Sequence, residues 1–215
     1  MQIVICAATQ IELLPLMQLT NNAKLKHEIV FLVHGIGCAI SSALISKAML
    51  QYNAAFFIQI GIAGSFSTNI QLAEVFIIQN DFLGNQGVWE NNKWLTLNNL
   101  QLTNKQPEPF NKSINFFNKD AIKYAEMLKL QYKNAVTVSE ITTQQIVINN
   151  YTLADVSLET MEGAALHLNA ILHNKNYVQL RGVSNFIGER NKANWKINEA
   201  ITQVNNAAWQ LLNML

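Results

Sequence analysis

Short apolar runs alternate along this chain with stretches of helical periodicity, and that alternation leaves few architectures open. Gln2–Ala8, Glu28–Val33, Ala55–Ile60, Ala73–Gln79, Ala135–Val138 and Tyr177–Val183 are too short for buried helices and rich in Val, Ile and Phe. Between and after them fall helical stretches: the segment carrying Leu13, Leu14, Leu16 and Met17, then Asp120–Leu130, Thr143–Tyr151, and a terminal Ile197–Leu215 expected to cover the sheet. Strands interleaved with helices predict an α/β layer structure. With 215 residues and no internal repeat, coiled coil or flexible linker, the chain is expected to form one domain.

Charge narrows the choice of partner. The formal net charge is +1 and charged residues make up 13%, about half the usual share. Neither nucleic acid nor an anionic membrane has a basic face to bind, so a small metabolite is the expected partner. No window of eighteen consecutive apolar residues occurs, and the opening MQIVICAA reads as a strand, so a cytoplasmic location is expected. Cys6 and Cys38 lie in apolar contexts without metal spacing and are read as buried reduced thiols. No metal or organic cofactor is called for.

The most informative stretch is Ser157–Asn185, which reads as strand end, helix and strand. Glu162 falls where the first strand hands over to the helix opened by Gly163, Ala164 and Ala165, so the helix dipole should favour its ionised, acceptor-only form. Such a carboxylate suits a pair of sugar hydroxyls. Asn185 stands where the second strand stops. Its amide offers a donor beside an acceptor, complementary to the N7–H/O6 edge of a departing 6-oxopurine.

ETMEGAA (Glu159–Ala165) followed by RGVSN (Arg181–Asn185) resembles the purine nucleosidase and nucleoside phosphorylase superfamily. Members of that superfamily carry a M-E-[AG] turn on the ribose and an R-x-[IV]-S-[DN] strand end on the base. The match is closest to the futalosine hydrolase family, where the strand end reads S-N and continues into a segment similar to FIGERNKANW. The resemblance covers essentially residues 1–215. It implies an α/β, single-domain nucleoside phosphorylase/hydrolase-like fold with a central mixed, twisted β-sheet flanked by helices.

Several roles follow from that resemblance alone. Glu12 matches the acid that activates the attacking water, although Thr9 and Glu12 also form a capping-box pattern, and a fully committed cap would be a poorer base. Gly61, Ala63 and Gly64 match a G-x-[AG]-G turn beside ribose and water, with Ile62 where some relatives have a hydroxyl. Thr160 and Met161 belong to the ribose turn, with Met161 beneath the sugar. Thr142 lies in a loop, Ser139–Thr142, that closes over the purine face in relatives; its side chain and that of Ser139 equally suit N-caps of the next helix. Ala73-Glu74 replaces a Gly-Asp pair and is read as structural. The resemblance also implies a homodimer or higher homo-oligomer.

Other features have more than one reading. Gly35 and Gly37 suit a tight strand-to-helix turn better than a phosphate site, and His34 beside them reads as a turn or core residue. Trp89 and Trp94, flanking a hairpin tip at 90–93, fit the 5′ end of a nucleoside or a subunit contact. Arg190 fits a lock on the Asn185 loop, a partner for a substrate carboxylate, or a surface ion pair with Glu189 or Glu199.

The implied chemistry is N-glycosidic hydrolysis of a purine nucleoside, with Glu12 and Asn185 as the catalytic pair. Asn185 favours hypoxanthine over adenine as leaving group, because adenine would leave a polar group unpaired. The only Arg residues are 181 and 190, so the early Arg clamp by which phosphorylases hold phosphate is missing. An adenine-releasing nucleosidase of the methylthioadenosine/S-adenosylhomocysteine type, a phosphorylase and a non-catalytic nucleoside sensor remain as alternatives.

Overall fold

The strand Phe56–Ser65 (β3) organises the molecule, because three other strands pair with it along its length. The computed structural model describes residues 1–91, 93–111 and 115–215. Before β3 come β1 (Gln2–Ala7), α1 (Gln10–Asn21), β2 (Glu28–Val33) and α2 (Cys38–Gln51). After it come β4 (Val75–Leu83), the hairpin β5 (Gly87–Glu90) and β6 (Lys93–Thr96), β7 (Asn115–Phe117), α3 (Ala121–Leu128) and β8 (Gln131–Thr137). The chain ends with α4 (Gln145–Leu153), β9 (Leu158–Thr160), α5 (Gly163–Leu172), β10 (Asn176–Phe186) and α6 (Ile197–Met214).

The sheet is mixed, as expected, but it is not simply twisted and open. β10, β4, β8, β9 and β3 pair in turn, and β3 pairs again with β10, so these strands form a partly closed barrel. β1 and β2 extend it from β3, and β7 attaches to β4. Closure is possible because β3 and β10 are long. The first part of β3 pairs with β1, its last two residues pair with β9, and nearly its whole length runs parallel to β10. Strand twist accumulated around the ring brings the two edges together.

Alternation along β1 shows how the layers are filled. Ile3 and Ile5 pack into one core with α1, α3 and α6, while Val4 and Cys6 pack into a second core with α2 and α5. Helix α6 therefore covers the sheet as anticipated. Cys6 and Cys38 are free thiols, Cys6 buried and Cys38 half-buried. Among the described residues no helix is long and apolar enough to cross a membrane.

Two local departures from the expected strands bear on the site. The anticipated turn at Gly61–Gly64 is instead a continuation of β3. Gly61 is required for a different reason: a Cβ there would collide with the Arg181 guanidinium. Ala73 adopts φ +68°, the left-handed conformation that glycine takes easily, and its N–H donates to Val183 O at 2.7 Å. The Ala-for-Gly departure is thus structural, and the backbone keeps the glycine conformation.

Candidate active site

Glu12 lies in the first turn of α1 and is buried. Its Oε2 accepts from Thr9 N at 3.0 Å and Thr9 Oγ at 2.7 Å, so the capping-box reading holds. Its Oε1 does not cap: it faces Gly61 and accepts a long bond from Ile62 N at 3.4 Å. One oxygen fixes the side chain and the other remains turned toward β3. Helix α6 is tied to α1 at this point, since Asn205 Nδ2 donates to Glu12 O and Asn205 Oδ1 accepts from Leu16 N.

Glu162 is the N-cap of α5, and its Oε1 accepts from Gly37 N at 3.0 Å. Gly35 and Gly37 sit at φ +80° and +88°, so this G-x-G is the tight turn that needs glycine, and its free N–H holds a carboxylate of the same chain. The helix N-terminus is not the only influence on the Glu162 carboxyl. Burial, reinforced by the nearby Glu12, raises its pKa, and this outweighs Arg181 and the Gly37 N–H acting the other way. The turn behind it is firmly built: Gly163 N donates to Thr160 Oγ and Ala164 N to Thr137 Oγ, at 3.1 and 2.8 Å.

Asn185 reaches the same place through a β-bulge. Val183 pairs with Ala63 and Asn185 with Gly64, leaving Ser184 as the extra residue that re-aims the strand end. Asn185 Oδ1 accepts from Ser184 Oγ at 2.8 Å, and Nδ2 donates to Phe186 O at 3.1 Å. One N–H and one lone pair of the amide are left for a ligand.

Glu12, Glu162 and Asn185, distant in sequence, line one cleft of about 370 Å³ together with Thr160, Met161, Ile62, Ala63 and Gly64. Most of its remaining wall is apolar, formed by residues such as Ile36, Ile187 and Trp195. Not every anticipated residue belongs to it. Thr160 lines the cleft but its hydroxyl is turned to α5. Gly61 lies beneath the wall rather than in it. Thr142 is buried and gives its N–H to Glu159; neither it nor Ser139 caps α4, whose N-cap is Gln144. Arg190 is exposed, with its guanidinium 5.6 Å from the ring of Trp195. The ion pair considered for it does not form. Glu189 holds Asn191 N and Asn194 Nδ2, and Glu199 pairs with Lys196.

Trp89 and Trp94 face each other across the β5–β6 hairpin, while Asn92 at its tip lies outside the described residues. They line a separate cleft of about 320 Å³ with Tyr151 and Gln144, which shares Ile141 with the first. His34 is a core residue: Nδ1 meets Ser41 Oγ, Nε2 meets Gln59, and burial lowers its pKa to about 4, so it is neutral near pH 7.

Sequence reasoning passed over Arg181, which is 2% exposed, with Nε and Nη2 lacking hydrogen-bond partners among the described residues. Its Nη1 and the Oε1 of Glu12 both crowd the space that a Cβ at Gly61 would fill. The signal was available, since an Arg in the middle of an apolar strand is costly unless something needs its charge.

A ring-closed α/β domain with two buried acids and an amide around a mostly apolar cleft defines a protein built to hold a small polar molecule. The sequence model of the phosphorylase superfamily matches residues 20–215, and the chain belongs to that superfamily. Glu12 lies outside the matched segment. None of the curated proteins matches the chain. Among solved structures it is similar to 5′-methylthioadenosine/S-adenosylhomocysteine nucleosidase from Neisseria meningitidis in complex with methylthio-immucillin-A, with TM-score 0.82, 14% identity and coverage of 100% of this chain and 99% of that one. It is similar also to S-adenosylhomocysteine nucleosidase from Streptococcus pyogenes, with TM-score 0.80, 18% identity and coverage of 100% and 97%. A futalosine hydrolase mutant of Helicobacter pylori gives TM-score 0.78, 12% identity and coverage of 100% and 99%.

Proposed function

We propose that this protein hydrolyses the N-glycosidic bond of a 6-oxopurine nucleoside, with futalosine the best-fitting substrate and dehypoxanthine futalosine and hypoxanthine the products, in menaquinone biosynthesis. The observation that carries the reading is the meeting of Glu12, Glu162 and Asn185 around one cleft.

Cleavage passes through an oxocarbenium-like sugar. Oε1 of Glu12, held only by a long bond from Ile62 N, takes a proton from water as the water oxygen bonds to C1′, while Oε2 stays tied to Thr9 and fixes the base in place. Arg181, buried behind the cleft, opposes the rise that burial imposes on the pKa of Glu162. Glu162 grips the ribose hydroxyls, with Met161 beneath the ring. As the C1′–N9 bond breaks, its electron pair passes to the purine, which takes a proton at N7 from solvent water, and Asn185 holds the N7–H/O6 edge. Asn185 and Phe186 are joined to β3 by strand pairing, so the base-holding group is rigidly placed.

The adenine-releasing alternative has its own support, since proteins named as methylthioadenosine/S-adenosylhomocysteine nucleosidases share the fold as closely as the futalosine hydrolase does. Incubating purified protein with futalosine, inosine and methylthioadenosine and identifying the released base by chromatography separates the two. Hypoxanthine release carries the first reading, and adenine release alone ends it. Phosphorolysis is disfavoured because the guanidiniums are confined to the buried Arg181 and the exposed Arg190. The sensor reading is disfavoured by the uncapped oxygen of Glu12. We also infer a homo-oligomer: Ile11, Ile36, Ile40 and Leu44 are exposed, and Ile11 and Ile36 line the mouth of the cleft.

A further inference from the structure

Glu159 is 5% exposed, lines the cleft and takes no part in the chemistry above. Its Oε1 accepts from Thr142 N at 3.1 Å, whereas Oε2 has no hydrogen-bond partner among the described residues. A carboxylate oxygen taken out of water and left bare is expensive in a folded chain unless a ligand completes it. Burial raises the pKa of this carboxyl, with the bonds to Thr142 acting against it.

Its position gives the ligand. In β3, Gly64 pairs with Glu159 of β9 on one side and with Asn185 of β10 on the other. Residues directly paired across neighbouring strands share a face, so Glu159 and Asn185 flank Gly64 on one side of the sheet. Two strand spacings separate their α-carbons, roughly 10 Å. A flat bicyclic ring fits between two side chains reaching inward over that span. Gly64 itself keeps the floor low, since a Cβ there would collide with Ile187.

We propose that Glu159 reads the N1–H of the purine, so that Asn185 and Glu159 together recognise N7–H, O6 and N1–H, the consecutive edge of a 6-oxopurine. This deepens the function proposed above and rests on it for the identity of the ring. A 6-oxopurine carries a hydrogen at N1, which an ionised carboxylate accepts. Adenine carries a lone pair at N1, which a carboxylate repels. The two residues therefore exclude adenine at two separate atoms, and removing one leaves part of the preference intact. The segment supplying the Thr142 N–H orients Glu159, so the Ser139–Thr142 loop acts on the base through this carboxylate.

Binding of free bases, measured by calorimetry, tests the inference without catalysis. The wild-type protein should bind hypoxanthine at least about tenfold more tightly than 1-methylhypoxanthine, which lacks the N1 hydrogen. Glu159→Gln, which keeps an acceptor for Thr142 N and substitutes a donor for Oε2, should weaken hypoxanthine and improve adenine, narrowing their ratio by about ten- to a hundredfold. Equal affinity of the wild type for hypoxanthine and 1-methylhypoxanthine overturns the role of Glu159, whether or not the variant folds. A protein that shows the N1 preference but releases no base from any nucleoside keeps this inference and ends the hydrolase reading.

Discussion

The side-chain amide of Asn205 stands inside helix α1, between the carbonyl of Glu12 and the N–H of Leu16, at 2.9 and 3.0 Å. These are the two groups that an uninterrupted helix would join to each other. Pro15, in the same turn, removes one further donor. The last helix thus splices the first and sets the backbone from which the proposed base projects. Asn205→Leu removes both bonds and sets an apolar side chain against two buried polar groups, and should destabilise the fold by about 2–5 kcal/mol. Urea denaturation would show the loss, and kcat for base release should fall more than KM rises.

Glu12→Gln keeps an oxygen for Thr9 but cannot take a proton. Base release is expected to slow by about 10²–10⁴-fold. Nucleoside binding should change little, which calorimetry can check. A variant as active as wild type would remove Glu12 from the mechanism.

Asp81 gives a stability prediction with a definite sign. Its carboxyl is fully buried, accepts from Thr137 Oγ and Gln179 Nε2, and is pushed from 3.8 to about 7, chiefly by burial, with Arg181 and both bonds opposing. The folded state therefore binds this proton more tightly than the unfolded chain does. Stability from this group is greatest below pH 4 and is lost as pH rises toward 7. In Asp81→Asn, Gln179 can turn its unpartnered Oε1 to the new amide. The urea midpoint of the variant should gain on that of wild type between pH 5 and pH 8.

Ala73 holds a left-handed backbone at the foot of β4. Ala73→Gly relieves about 1 kcal/mol or slightly more of steric cost. Calorimetry should show Tm raised by roughly 2–4 °C. An unchanged or lower Tm would mean that the lost entropy of glycine outweighs the relief.

Ile40 and Leu44 on helix α2, and Ile36 in the turn before it, are exposed apolar side chains. Ile40→Asp should convert the proposed oligomer to monomer in light scattering after size exclusion, with secondary structure unchanged by circular dichroism. A wild-type protein that is already monomeric contradicts the inferred assembly.

The alternation of apolar runs and helices was enough to read the α/β class, and two motifs were enough to place Glu162 and Asn185 in one crevice. What escaped the sequence is long-range. Periodicity marks Ala55–Ile60 as a strand but does not show that it continues through two glycines, because the reason lies in Arg181, far away in the chain. The bulge at Ser184 and the second pairing of β3 are likewise set by partners rather than by local pattern. Thr142 looked like a cap from its neighbours, yet its backbone is claimed by Glu159. Glu159 itself was hidden in plain view, since nothing in ETMEG distinguishes an acid facing solvent from one facing a ligand.

The second pairing of β3, with β10, also sets the order in which the cleft can be assembled. Residues 56–65 must wait for residues 176–186 before the ring shuts, so a chain still emerging from the ribosome holds one edge of the cleft and lacks the other. Both edges of the cleft are therefore present together only once residues 176–186 have docked on residues 56–65.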